Sequence, residues 1–233
     1  MMQALIFDCD GVLVDTERDG HRVAFNRAFA DEGLAREWSV ERYAELLHTA
    51  GGKERMQRDF EETGWTVPDA KRADLIRALH LRKTDLFMNL ITSGALPLRP
   101  GVARLVDEAL AAGLPVAVCS TSNERAVQAV IDSQLGPQRA ARIRVFAGDM
   151  VAAKKPDPAI YTLAAQTLGL SPAQCVVVED SNIGLRAANA AGMRCIVTRS
   201  TYTRDEDFAI ADLVVDDLDQ GIDLARAQAL VQV

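Results

Sequence analysis

The sequence predicts an α/β fold: a Rossmann-like parallel sheet core with an all-helical domain inserted after its first strand. Three observations carry this expectation. Short apolar runs of strand length recur along the chain, and they are continuous rather than alternating, as strands buried on both faces are. Helical patterns lie between most of them, the grammar of a parallel sheet. One stretch, residues 16–94, has helical patterning with charged faces and no convincing strand.

Taken in order, the first strand is Ala4–Phe7, and Asp8-Cys9-Asp10-Gly11 follows it directly. In the insert, Glu17–Ala30 carries Val23, Ala24 and Phe29 at helical spacing, and Gly51-Gly52, Gly64 and Pro68 break the region into pieces. The αβ pattern resumes at Leu98-Arg99-Pro100-Gly101. A helix over Gly101–Ala112 ends at Gly113, and Leu114-Pro115 opens a strand at Val116–Cys119. Then come a helix at Glu124–Leu135, a strand at Ile143–Phe146 and a helix at Pro158–Leu168 closed by Gly169. Ser171-Pro172 turns into a strand at Cys175–Val178, followed by a helix at Asn182–Ala191 and strands at Cys195–Val197 and Leu213–Val215. The expected domains are therefore 1–15 with 95–233, and 16–94.

Composition narrows the function. The chain has 233 residues, 48% hydrophobic and 25% charged, enough for a real core. A net charge of −7 without blocks of like charge argues against a nucleic-acid surface. No apolar run approaches a membrane span and no signal-peptide pattern opens the chain, so no membrane partner is expected. Cys9, Cys119, Cys175 and Cys195 sit in or beside apolar runs with no CxxC pair, and read as small buried residues of a reducing compartment.

In open α/β sheets the ligand site lies beyond the carboxyl ends of the strands. Asp8 and Asp10 lie there after the first strand, Ser120 after the second, Lys154 and Lys155 after a loop from the third, and Glu179 and Asp180 after the fourth. A carboxylate such as Asp8 can attack a phosphoryl group and hold it as an acyl phosphate. Its repulsion from a dianionic substrate calls for a cation, and oxygen ligands suit Mg²⁺, with Asp180, alone or together with Glu179, completing the site. Asp10, two residues on, can protonate the leaving oxygen and then activate water. Ser120 can donate to a phosphoryl oxygen, and Lys155, directly before Pro156, can neutralise its charge.

The runs Asp8–Leu13, Ser120, Lys155-Pro156-Asp157-Pro158 and Glu179-Asp180-Ser181 resemble the four ordered motifs of the haloacid dehalogenase superfamily. The resemblance spans nearly the whole chain. It implies Asp8 as nucleophile, Asp10 as general acid/base, Ser120 and Lys155 as phosphate holders, and Asp8, the Asp10 carbonyl and Asp180 as Mg²⁺ ligands, with Glu179 a direct or outer partner. Dehalogenating members lack the second aspartate, so Asp10 favours phosphoryl transfer. The insert resembles the helical C1 cap of the β-phosphoglucomutase-like branch.

Four further runs, Asp15–Arg22, Gly51–Arg55, Val118–Asn123 and Tyr202–Phe208, are similar to the CbbY family of plant plastids and some bacteria. That family dephosphorylates xylulose 1,5-bisphosphate, an inhibitory misfire product of Rubisco, to the Calvin-cycle sugar xylulose 5-phosphate. The similarity implies substrate contacts from Glu17, from a cap loop of Gly51, Gly52, Lys53, Glu54 and Arg55, and from His80 and Lys83. Ser120, Thr121, Ser122 and Asn123 would form the core wall. Physical sense supports this: the second phosphate of a bisphosphate needs cations such as Lys53, Arg55 and Lys83, and arginine offers a bidentate fork. The expected partner is thus a small phosphorylated sugar bound by a monomer, in a bacterial cytoplasm or a plastid stroma. A phosphomutase or a broader sugar-phosphate or phosphoglycolate phosphatase would use the same aspartates. A catalytically idle regulatory protein would not need Asp8, Asp10, Lys155 and Asp180 intact.

Overall fold

The computed structural model describes residues 1–49 and 51–231. The chain divides into two compact units: Met1–Asp15 with Gly94–Val233, and Thr16–Ser93. The first begins with β1 (Ala4–Phe7), buried at every residue.

The second unit is helical. A wide π-type turn, Thr16–His21, leads into α1 (Arg22–Asp31). It is followed by α2 (Val40–Leu47), α3 (Gly52–Thr63) and α4 (Asp69–Thr92). The buried face of α1 is Ala24, Phe25, Ala28 and Phe29, whereas Val23 is only half-buried. The apolar stripe is therefore turned from the expected one, because Phe25 rather than Val23 meets Trp38, at 4.8 Å between ring centroids. Trp38 also packs edge-on against Phe29 at 5.0 Å. Gly51 and Gly64 flank α3 and Pro68 precedes α4, so the breakers fall between helices.

The expectation of a loop over Gly51–Arg55 is corrected here. Only Gly51 takes a left-handed φ, +90°; from Gly52 onward the run is the first turn of α3, and the Arg55 N–H donates to the Gly51 carbonyl at 3.0 Å. Lysine, glutamate and arginine favour helix, so one left-handed glycine suffices to start it.

The first unit resumes with α5 (Val102–Ala111), β2 (Val116–Cys119) and α6 (Glu124–Val130), the last continuing as a π-type turn to Leu135. After α7 (Pro137–Ala140) come β3 (Ile143–Phe146), α8 (Ala159–Leu168) and β4 (Cys175–Glu179). The unit ends with α9 (Asn182–Ala190), β5 (Arg194–Thr198), β6 (Leu213–Val215) and α10 (Leu224–Ala229). Among the described residues the strands form one parallel sheet in the order β3-β2-β1-β4-β5-β6. Phe7 lies level with Val118 on one side and Val178 on the other. Asp8, Cys119-Ser120 and Glu179-Asp180 therefore leave the same edge of three adjacent strands, where the strand order reverses. All four cysteines are free and buried.

Candidate active site

Asp8 is held at the end of β1 by its own N–H, which donates to the Val178 carbonyl at 2.9 Å. Asp8, Glu179 and Asp180 are buried, with carboxylate oxygens within 4.8 Å of one another. Into this group reaches Lys155, whose side chain is 5% exposed. Its ammonium donates to Asp8 Oδ1 at 2.6 Å, Glu179 Oε1 at 2.7 Å and the Cys119 carbonyl at 2.9 Å. Three N–H donors thus meet three acceptors, and the ammonium has one orientation. Lys154 instead lies on the surface and donates to the Thr121 carbonyl at 3.1 Å.

The electrostatics follow from burial. Desolvation pushes Asp8 up to about 7; Lys155 pulls against it, while Glu179 and Asp10 add repulsion. Burial, then Asp8 and Glu179, raises Asp180 well above the carboxylate range, with Ser200 and Arg99 opposing. Burial also opposes the Lys155 ammonium, but Asp8 and Glu179 together outweigh it and hold the group above its ordinary value. Three carboxyl groups thus crowd one ammonium, and burial and mutual repulsion disfavour the ionised forms of Asp8 and Asp180. An all-oxygen donor set of three acids fits Mg²⁺, whose charge would favour their ionised forms and offset the repulsion between them. Gly11 permits the packing: its φ is +84°, and a Cβ there would lie 2.0 Å from Asp180 Oδ2.

Asp10 is half-buried beside the trio. Its Oδ2 accepts from Ser122 Oγ at 2.8 Å and from Ser120 Oγ at 3.4 Å, and Ser120 Oγ accepts from the Ser122 N–H at 3.1 Å. Asn123 is committed elsewhere, its Oδ1 capping α6 through the Ala126 N–H at 3.0 Å, and Thr121 is exposed.

The helical unit gathers a second polar group. Tyr43 Oη donates to Glu17 Oε2 at 2.6 Å, and Arg55 Nη1 donates to Tyr43 Oη at 3.2 Å. Arg55 also donates through Nε to the Thr49 carbonyl at 2.9 Å and lies 3.8 Å from Glu17. Lys83 is buried, with Nζ 2.9 Å from His21 Nδ1 and 4.8 Å and 5.2 Å from the ring centroids of Phe25 and Phe87. Burial brings Lys83 down to about 8, with Glu17 opposing and Arg55 assisting. Burial, Lys83 and Arg55 lower His21 well below its usual value, so the neutral ring accepts from the ammonium. His80 is half-buried and likewise lowered, first by burial and then by Lys83 and Lys53. Lys53 and Glu54 are exposed on the first turn of α3.

The haloacid dehalogenase-like hydrolase family matches residues 2–192. This chain belongs to that family. Among the haloacid dehalogenase-like hydrolases it groups with the CbbY proteins. It is 60% identical to a CBBY-like protein of Arabidopsis thaliana over 91% of this chain and 68% of that one. It is 47% identical to the CbbY protein of Rhodobacter capsulatus over 93% of this chain and 94% of that one. It also superposes on a crystal structure of a CbbY variant from Rhodobacter sphaeroides in complex with xylulose 1,5-bisphosphate. That match has a TM-score of 0.77 and 41% identity, over 97% of this chain and 99% of the other. Among the described residues, no helix is long and apolar enough to cross a membrane.

For a haloacid dehalogenase-like hydrolase, the ordered motifs were legible in the sequence; two supporting side chains were not. Arg99 sends its guanidinium to the carbonyls of Gly11, Thr198, Arg199 and Asp216, tying the Gly11 turn to the ends of β5 and β6. In the sequence it reads only as part of the punctuation that restarts the αβ pattern. Tyr161 donates its hydroxyl to Glu179 Oε1. It lies on the buried face of α8 and reads as core. Burial and the Glu179 charge raise its phenol far above the usual range, so it stays a donor.

Proposed function

We propose that this chain is a Mg²⁺-dependent phosphatase that converts xylulose 1,5-bisphosphate to xylulose 5-phosphate, clearing an inhibitor of Rubisco. The observation that carries the reading is the Asp8–Lys155 contact within a buried carboxylate trio, with the half-buried Asp10 two residues on. The complex of a similar CbbY variant with xylulose 1,5-bisphosphate supports the choice of sugar.

Lys155 orients Asp8 and offsets the repulsion between its carboxylate and the phosphoryl oxygens. An Asp8 oxygen attacks phosphorus, and the bond from phosphorus to the sugar oxygen breaks. Asp10 delivers a proton to that leaving oxygen. The resulting Asp10 carboxylate then takes a proton from water, whose oxygen attacks the phosphoaspartate, releasing inorganic phosphate and restoring Asp8. The Ser120 hydroxyl donates to a phosphoryl oxygen, and Ser122 steadies Asp10. Mg²⁺, when bound by Asp8, Asp180 and the Asp10 carbonyl, supplies positive charge to the transferring phosphoryl group. Arg55, Lys83 and Lys53 supply cations for the phosphate that does not react, and Glu17 binds the sugar portion.

The test is phosphate release from a panel of xylulose 1,5-bisphosphate, ribulose 1,5-bisphosphate, phosphoglycolate and β-glucose 1-phosphate, with and without EDTA. The expected result is Mg²⁺-dependent release with the highest kcat/KM for xylulose 1,5-bisphosphate. Formation of glucose 6-phosphate from β-glucose 1-phosphate at a higher kcat/KM would make the chain a mutase. Absence of release from every ester would end the phosphatase reading.

A further inference from the structure

One buried side chain touches two members of the candidate machinery and has no part in the steps above. Tyr161, on α8, has no solvent exposure. Its hydroxyl donates to Glu179 Oε1, the same oxygen that accepts from the Lys155 ammonium at 2.7 Å. Its ring backs that ammonium, with Nζ 4.8 Å from the centroid. The other Glu179 oxygen accepts from the Asp180 N–H at 3.2 Å. Glu179 is therefore held by three donors, Tyr161 among them.

This matters because Asp8 and Glu179 compete for one ammonium. The three Lys155 N–H groups are shared among Asp8, Glu179 and the Cys119 carbonyl. Where the ammonium sits depends on how strongly Glu179 attracts it. A second donor on Oε1 occupies a lone pair and weakens that attraction. Without the phenol O–H, Lys155 would be the only donor left on Oε1, and the ammonium would shift toward Glu179 and loosen on Asp8.

We infer that Tyr161 is a positioning residue: its hydroxyl restrains Glu179 and its ring backs Lys155, so that the ammonium stays against Asp8. The inference rests on the phosphatase reading given above. It also gives Glu179 a definite task, as the buried counter-ion of Lys155.

Tyr161→Phe keeps the ring and removes one oxygen. The measurements are kcat and KM on the best sugar phosphate of the panel, thermal unfolding, and binding of trifluoroberyllate with Mg²⁺ by ¹⁹F NMR. Trifluoroberyllate mimics a phosphoryl group on a carboxylate and needs no turnover. We expect kcat to fall roughly 10-fold, the low end for partners one step removed from a charged site, with KM within about twofold. Trifluoroberyllate affinity should fall with kcat. If Tyr161 is only a packing residue, the unfolding temperature drops while kcat and trifluoroberyllate affinity stay within about twofold of wild type, which overturns the inference. A raised KM at unchanged kcat overturns it too, by assigning Tyr161 to substrate binding. If the wild type releases no phosphate yet binds trifluoroberyllate, the phosphatase reading fails while the binding comparison still decides the role of Tyr161. A wild type that does neither overturns both.

Discussion

Lys155 in the sheet unit and Lys83 in the helical unit are both buried ammonium groups, and their surroundings pull them in opposite directions. Lys155 spends every N–H on oxygen, two of them carboxylates, and is held above its ordinary value. Lys83 meets a neutral imidazole and two aromatic faces, and burial brings it down to about 8, with Glu17 opposing and Arg55 assisting. The sheet unit thus gathers three buried acids around one ammonium, and the helical unit holds a buried ammonium, Lys83, with no carboxylate among the hydrogen-bond and ring contacts just named. Clustered buried acids suit a divalent cation; a buried ammonium suits an anion. A Mg²⁺-dependent enzyme acting on a sugar with two phosphates would need both.

The largest expected effect tests the sheet unit. Asp8→Asn should lower kcat by at least ~10³, because an amide is a poor nucleophile and the variant loses a metal-binding charge. Single-turnover phosphate release measures it, and more than a tenth of wild-type activity would remove Asp8 from the role of nucleophile.

The next effect sharpens the contrast between the units. Arg55→Ala should cost about 1.5–3 kcal/mol on a bisphosphate, roughly 10–100-fold in kcat/KM. A monophosphate such as p-nitrophenyl phosphate lacks the second anion and should be nearly untouched. Both substrates are compared at one ionic strength, since the contact is electrostatic. Equal losses on both would mean that Arg55 supports the fold or the reacting phosphate, through its contacts with Tyr43 and the Thr49 carbonyl.

The smallest effect is a pH dependence set by Lys83. Its folded pKa of about 8 lies below the ordinary 10.5, so both folded and unfolded chains carry the charge below pH 8 and burial costs stability there. Between about 8 and 10.5 only the unfolded chain keeps the proton, and that cost fades as pH rises. The unfolding temperature of Lys83→Met relative to wild type should therefore be highest near neutral pH and decline toward pH 10. In catalysis, kcat/KM for the bisphosphate should fall above pH 8 relative to p-nitrophenyl phosphate, by several-fold, and this differential should vanish in Lys83→Met. A wild-type differential that is flat with pH would detach Lys83 from the second phosphate.

Several parts of the molecule were determined by sequence alone. The strands Ala4–Phe7, Val116–Cys119, Ile143–Phe146 and Leu213–Val215 have the bounds that their apolar runs predict. Such runs are local, and glycine and proline punctuate them through backbone geometry that needs no distant partner. The acids after Phe7 and Val178 were legible for the same reason, since a polar residue directly after a buried strand has few places to go. Only tertiary structure decided the rest. Phe25 rather than Val23 completes the buried face of α1 because the position of Trp38 sets which side of the helix is covered. Lys83 finds His21 across 62 residues, and Tyr161 finds Glu179 across 18. Periodicity marks which face of an element is buried, but not which distant side chain shares its hydrogen bond. The shifts of Asp8 and Lys83 have burial as their largest cause, and burial is a property of the packed molecule that no single residue type carries.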